Sequence, residues 1–213
     1  SASITAGFRT SPNVAAWKNH LENLLPDINN RVVHFQALPY EKVPDLFKFL
    51  TSINTLPSLA LQFLILNASR ANEIIQAEKS QIIEGVWTIP AEKMKARSEH
   101  QIPLAPESIS LIERASIRTQ DSAYLFRIKG KRMHSQYMIN LAQQFDANIT
   151  THGFRSTFRD WVSEETNHSP EVAEMALAHA IQNKVEAAYR RGKLLEKRKL
   201  LMTDWAKFCF SKV

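Results

Sequence analysis

A single cysteine, Cys209, stands among 213 residues, which excludes an internal disulfide framework and suits a reducing cytosol. Long hydrophobic runs are missing as well. The longest, Leu56 to Leu66, is too short to span a bilayer and reads as a buried helix. No basic region followed by an apolar core opens the chain, so a signal peptide is not expected. The chain starts Ser1-Ala2-Ser3 without an initiator methionine, as an excised fragment with a cloning remnant would. The seven histidines are scattered, no HxxxH or CxxC pair exists, and the acids show no ligand spacing. Neither a metal nor another cofactor is expected. Internal repeats and low-complexity tracts are also lacking.

The remainder has the composition of a globular protein. A hydrophobic content of 44% with 23% charged residues argues against extended disorder, and the length suits one good-sized domain. The net charge of +6 favours a polyanionic partner, although basicity alone does not separate nucleic acid from an anionic membrane.

Periodicity then divides the chain. Residues 1–12 read as a loose terminus, and 13–25 as a short helix with Val14, Trp17, Leu21 and Leu24 on one face. Pro26-Asp27 stops that helix, and a linker follows to Arg31. Pro39 suits a first helical position, with Val43, Leu46, Phe47 and Leu50 as an inward stripe behind it. Residues 56–68 read as a central helix with Arg70 at its mouth. Three β-prone runs, 81–83, 86–89 and 101–104, predict a small antiparallel sheet. Pro106 opens a helix through Ile112, residues 116–122 read as loop, and 129–132 as a basic turn. Met133, Tyr137, Leu141 and Phe145 make an i, i+4 stripe. Thr151 is the expected N-cap of the helix bearing His152 and Arg155. Ser169-Pro170 starts the next helix, and residues 183–191 a short one with Tyr189. In the last segment Leu194, Leu201, Trp205 and Phe208 face one way, while Lys197, Arg198, Lys199 and Lys207 lie elsewhere. The expected fold class is mainly α with a small antiparallel three-stranded sheet.

The chemistry concentrates in residues 151–191. His152 and Arg155 share a helix face, and His179 and Tyr189 follow, the latter beside Arg190 and Arg191. That set suits attack on a phosphodiester without a metal. A phenol can become a covalent nucleophile, imidazoles move protons, and guanidinium grips phosphoryl oxygens through a planar fork. Two clamps are economical for the charge on a pentacovalent phosphorane, here Arg155 and Arg70. Arg70 could equally pair with Glu73 one turn on. Lys93, Lys95 and Arg97 would share a face of any extended segment, so alternation does not choose among them. Among other tyrosines, Tyr124 and Tyr137 read as core, and Tyr40 lacks basic neighbours. His20, His34, His100, His134 and His168 read as structural.

Five ordered elements here resemble the tyrosine recombinases, the phage-type integrases, and within them the prophage and satellite-phage integrases. They are Ser69-Arg70-Ala71-Asn72-Glu73, the stretch from Val86 through Met94-Lys95 to His100-Gln101-Ile102-Pro103-Leu104, His152 with Arg155, His179, and Tyr189. The resemblance runs from about Val33 to Phe210. It implies a catalytic domain over residues 32–213. Residues 1–31 would be a tail or linker left from an upstream DNA-clamping domain, or a short helix capping the catalytic domain. It implies Tyr189 as nucleophile, Arg70 and Arg155 as clamps, Lys95 as general acid, His152 as acid/base, His179 as phosphate donor and Glu73 in support. Double-stranded DNA is the implied partner, met also by Lys129, Lys131, Arg132, Arg190 and Arg191. Self-association into a synaptic tetramer through the C-terminal tail is implied too, with docking of that tail on its own domain as the alternative. The implied activity is integration or excision of a mobile element, in the cytoplasm at the nucleoid. The rivals are a type IB topoisomerase and a catalytically silent DNA-binding module.

Overall fold

The computed structural model describes residues 13, 15–24, 36–179 and 193–213, and the chain forms two units, Ser1–His34 and Phe35–Val213. In the first, a π-helical turn, Trp17–Leu21, runs into one α-helical turn, Glu22–Leu24. Asn13 starts it, its side chain accepting the Ala15 N–H and its carbonyl the Ala16 N–H.

The second unit is built around one helix. Helix α1 (Val43–Ile53) follows a 3-10 turn, Tyr40–Lys42, so Pro39 precedes the helical segment rather than opening it. The expected stripe of Val43, Leu46, Phe47 and Leu50 is fully buried. Helix α2 (Leu56–Leu66) starts at a Thr55–Ser58 capping box, in which each side chain satisfies the other's orphan backbone N–H. Every residue from Ser58 to Leu66 is buried. An all-apolar helix has no solvent face to offer, and α2 is accordingly packed against helices on all sides. Helix α3 (Ala71–Ile75) follows Arg70 directly.

Strands β1 (Ile82–Ile83), β2 (Val86–Ile89) and β3 (His100–Pro103) form the antiparallel sheet in that order. Glu84 and Gly85 both have positive φ, 50° and 75°, the combination a two-residue hairpin turn demands. On the core face of the sheet Trp87 pairs with Ile102 and packs on Phe63 of α2, ring centroids 5.3 Å apart.

Helix α4 (Pro106–Arg118) runs six residues past the expected end at Ile112, so residues 116–118 are helical rather than loop. Arg114 and Arg118 at its end donate to Asn54, the C-cap of α1, and so tie the two helix ends together. The basic turn at 129–132 is the tip and return strand of a second hairpin, β4 (Arg127–Ile128) with β5 (Lys131–Arg132). In helix α5 (Gln136–Phe145) the buried residues are Met138 and Ala142. Tyr137 is 49% exposed and not core, because the helix begins after Met133 and so turns its inner face one residue on.

Helices α6 (Gly153–Glu165), α7 (Pro170–Ala176) and α8 (Leu195–Cys209) complete the unit. Helix α2 touches α1, α3, α4, α5, α6 and α8. Helix α8 packs on its own domain, as the alternative to exchange supposed. Leu201, Trp205 and Cys209 are fully buried, and the Trp205 indole donates to the Ile65 carbonyl at 3.0 Å. Phe158, Trp161 and Phe208 surround that indole. Arg198, expected on the solvated face, is 3% exposed; its guanidinium donates to the Gln101 carbonyl on β3. The stem spans the apolar face while the head finds a strand carbonyl. Among the described residues no helix is long and apolar enough to cross a membrane.

Gly153 seats α6 against the preceding chain. A Cβ there would lie 2.3 Å from the Gln36 carbonyl oxygen and 3.0 Å from the Ala37 Cα, while Thr157 donates to the Leu38 carbonyl at 2.6 Å one turn on. Backbone cannot yield as a flexible side chain can. Gly153→Ala is expected to destabilise the chain by about 1–3 kcal/mol, the usual cost of overpacking, read as a lower urea midpoint.

Candidate active site

Helix α6 brings two of the candidate groups to one cleft. Its start is capped by Thr150, whose hydroxyl accepts the Gly153 N–H at 3.0 Å. The expected cap, Thr151, is buried one residue on and makes no side-chain cap. Phe154, Phe158 and Trp161 recur at i, i+4 and i+7 and sink into the core, which turns Arg155 into the gap between the ends of α2 and α7.

Arg155 is 5% exposed and stretched between two carbonyls. Nη1 donates to the Ala68 carbonyl at 2.6 Å, and Nη2 to the Leu177 carbonyl at 2.5 Å. Both carbonyls lie just past helix C-termini, where unsatisfied C=O groups carry partial negative charge. Ala68 and Ala178 close those helices with φ of 45° and 49°, a left-handed conformation that is costly outside glycine. Burial, then the charge of Arg70, pull the Arg155 guanidinium down to about 10 against the opposing pull of Glu73 and Glu174. It therefore stays cationic at neutral pH. Two of its five N–H donors meet these carbonyls, and the fork keeps donors for an anion.

Arg70 leads into α3 under the control of Glu73. One oxygen of that carboxylate accepts the Arg70 backbone N–H at 2.8 Å, and the other the guanidinium at 2.9 Å. Glu73 is buried while Arg70 keeps 24% of its side chain exposed. The ion pair and the clamp are thus compatible: the acid holds the arginine and leaves part of it open.

His152 immediately precedes α6. Although its ring is exposed, partial desolvation and then the charges of Arg155, Arg70, Lys95 and His179 hold the imidazole below its ordinary value. Four other candidates, Arg70, Lys95, Arg155 and His179, thus lie within electrostatic reach of His152.

The hairpin lysines separate. The segment after β2 is a 3-10 turn, Ala91–Lys93, and not an extended strand, so the alternation that put Lys93, Lys95 and Arg97 on one face does not apply. Lys93 turns back to Glu78 at 2.5 Å and to the Gln76 carbonyl at 3.3 Å. Met94 is buried beneath the turn, and Lys95 is exposed. Arg97 is exposed with φ of 50°.

His179 stands at the end of α7, its Nδ1 2.6 Å from Glu174 Oε2. The other oxygen of Glu174 accepts from Arg159 Nε at 2.7 Å. Desolvation acts against the Glu174 carboxylate, but the hydrogen bonds from Arg159 and His179 prevail and hold its pKa below the usual range. His152, Arg155, Arg159, Leu177 and His179 line a cleft of about 190 Å³. Sequence reasoning missed Glu174 and Arg159. Arg159 lies one turn after Arg155, a spacing that could have flagged it; no spacing rule reaches Glu174.

Tyr189, Arg190 and Arg191 lie outside the described residues, as does His34. Lys129, Lys131 and Arg132 are exposed on the β4–β5 hairpin. Of the rival tyrosines, Tyr40 donates to Glu165 at 2.9 Å, and that bond, with lesser help from burial, pushes its phenol up to about 12. Tyr124 is half-buried, with Arg127 stacked over its ring at 4.4 Å. His100 is buried with Nε2 3.2 Å from the Ala176 carbonyl, tying β3 to α7. Burial, then Arg198, push it down to about 3. His134 accepts the Gln136 N–H, and His168 pairs with Asp204 on α8.

Comparison with known proteins gives this arrangement a context. Residues 36–194 match the model of the phage integrase family. Prophage integrase IntZ of Escherichia coli (strain K12) is 28% identical over 180 residues, 81% of this chain and 44% of that protein. Prophage integrase IntA of the same strain is 32% identical over 125 residues, 56% of this chain and 30% of that protein. The chain thus spans less than half the length of these relatives. Among solved structures, a lambda integrase(75-356) dimer bound to a COC′ core site matches in fold with a TM-score of 0.60. That match covers 84% of this chain and 67% of the other at 14% identity.

The charges around His152 make its titration a test of the cluster. Its folded-state pKa is depressed below the ~6.5 of an unfolded chain, so the unfolded state takes its proton first as pH falls. Stability is therefore lost as pH drops through that window. NMR titration is expected to place the His152 midpoint below the ~6.5 of a free imidazole. Arg70→Gln is expected to raise it.

Proposed function

Because this chain belongs to the phage integrase family, we propose that it is the catalytic part of a tyrosine recombinase that inserts or excises a mobile element in double-stranded DNA. Residues 32–213 are the catalytic domain in this reading, and residues 1–31 the tail or linker from an upstream DNA-clamping domain. The observation that carries it is that His152, Arg155 and His179 line one cleft, with Arg70 and Lys95 within electrostatic reach of His152. None of the five needs the others to fold a helix or a hairpin. A binding surface alone would need their charges, but neither a carboxylate dedicated to one arginine nor an arginine strung between helix ends.

The chemistry follows from the groups. The Tyr189 phenol attacks the phosphorus and passes its proton to His152, whose imidazole is neutral at pH 7. Arg155, Arg70 and His179 hold the non-bridging oxygens as negative charge builds on them. The bond to the 5′ oxygen breaks, Lys95 gives that oxygen a proton, and a 3′-phosphotyrosine remains. A 5′ hydroxyl of the partner duplex then attacks this ester and releases the phenol, so the bond energy is conserved without ATP. Lys129, Lys131, Arg132, Arg190 and Arg191 add contacts to the DNA backbone. The place of action is the bacterial cytoplasm, at the nucleoid.

Synapsis through a tetramer belongs to the same proposal. Exchange of the C-terminal segment between protomers would carry α8 as a whole and rebuild in trans the contacts of Trp205 and Leu201, as domain swapping does.

Two measurements bear on the chemistry. Tyr189→Phe removes one oxygen and is expected to abolish the covalent protein–DNA adduct on a nicked suicide substrate while DNA binding persists. An adduct that survives would move the nucleophile to another tyrosine. Lys95→Ala is expected to slow cleavage by about 10²–10⁴. Sulfur at the 5′ bridging position should largely restore it, since a thiol titrates near ~8.5 and leaves unprotonated. Lys93→Ala and Arg155→Ala are expected to show no such rescue; rescue of Lys93→Ala would relocate the acid.

A further inference from the structure

Glu174 binds two of the residues that line this cleft, Arg159 and His179. Its carboxylate meets His179 Nδ1 at 2.6 Å and Arg159 Nε at 2.7 Å. Its backbone carbonyl accepts the His179 N–H at 3.1 Å, across the turn that Ala178 makes in the left-handed region. Main chain and side chain of one residue thus fix both ends of His179. Arg159 in turn donates from Nη1 to the Ser163 hydroxyl on α6, so the carboxylate is held from α6 as firmly as it holds α7.

The chemistry of the pair is restrictive. An ionised carboxylate only accepts, and hydrogen bonds keep Glu174 ionised. Nδ1 of His179 therefore carries a hydrogen, and Nε2 is the ring nitrogen left to face a substrate. When one ring nitrogen is committed to a carboxylate, the tautomer and the plane of the imidazole are set together. From these contacts we infer that Glu174 is a positioning residue, whose fixed Nδ1–H···Oε2 bond aims Nε2 of His179 at a phosphoryl oxygen of the DNA; Nε2 takes up a second hydrogen to donate to that oxygen, so the ring that meets the phosphate is the imidazolium. Arg159 is the strut that keeps the carboxylate in place. The inference rests on the recombinase reading, because it supplies the phosphate that Nε2 meets.

Two experiments on the full chain test it. The first is a long-range proton–nitrogen correlation spectrum of the ¹⁵N-labelled protein, which reports which ring nitrogen of each histidine carries hydrogen. His179 Nδ1 is expected to be proton-bearing in the wild type, with the Nε2–H tautomer appearing in Glu174→Ala. A bare Nδ1 in the wild type, or no change on substitution, would overturn the pairing. The second is single-turnover cleavage of a nicked suicide duplex. Glu174→Ala is expected to slow it about 10–100-fold, the range seen for partners that orient metal-bound histidines. Glu174→Gln is expected to keep most of the rate, since its amide oxygen still accepts from Nδ1–H. In a His179→Ala background, Glu174→Ala should cost nothing more. An equal loss in that background would make Glu174 a brace of the fold and end its positioning role. Absence of any adduct from the wild type would remove the recombinase reading instead, and the spectrum would still decide the pair.

Discussion

One buried guanidinium ties the larger unit, Phe35–Val213, together. Arg155 spans the carbonyls of Ala68 and Leu177, at the ends of α2 and α7. Taking a cation out of water costs several kcal/mol unless partners compensate, and here the compensation comes from backbone oxygens. That choice matters, because a carboxylate in the same place would neutralise the charge that an anionic substrate must meet. Carbonyl dipoles hold the cation and leave its net charge intact. The two left-handed alanines beside those carbonyls fit the same economy, since each bends a helix end where its oxygen is required.

Around that cation the acids are kept at one remove. Glu73 binds Arg70, Glu174 binds His179 and Arg159, and Glu78 binds Lys93. Each of these three acids is committed to a partner other than Arg155, and Asp160 is the acid among the residues that line the cleft. Lys93 shows the difference between a lysine that builds and one that is left exposed. Its ammonium is consumed by Glu78 and the Gln76 carbonyl, which holds the turn that exposes Lys95.

Much of this was legible in the chain before any coordinates. The stripe of Val43, Leu46, Phe47 and Leu50 and the three β-prone runs are local patterns, and local patterns survive folding. His152 and Arg155 could be paired because a helix repeats within a few residues. What escaped was set by distant partners. Arg198 looked solvated because nothing nearby announces the β3 carbonyl it reaches. Residues 116–118 looked like loop because Arg118 is anchored on Asn54, far back in the sequence. Alternation left Lys93 and Lys95 level and only the resemblance favoured Lys95, while the partners of Lys93 and His179, Glu78 and Glu174, obey no local period. Tyr137 was lost to a single-residue shift in where α5 begins.

The indole of Trp205 donates to the carbonyl of Ile65 at a sequence separation of 140, and this has a consequence for biosynthesis. A ribosome delivers α2 early and α8 late, so the central helix emerges without the aromatic wall that covers one of its sides. Until residue 205 has been made, Phe158 and Trp161 have no Trp205 to pack on. Contacts of such long sequence separation also slow the final search for the native state. The cleft residues His152, Arg155 and His179 are therefore synthesised before the helix against which Phe158 and Trp161 of α6 pack.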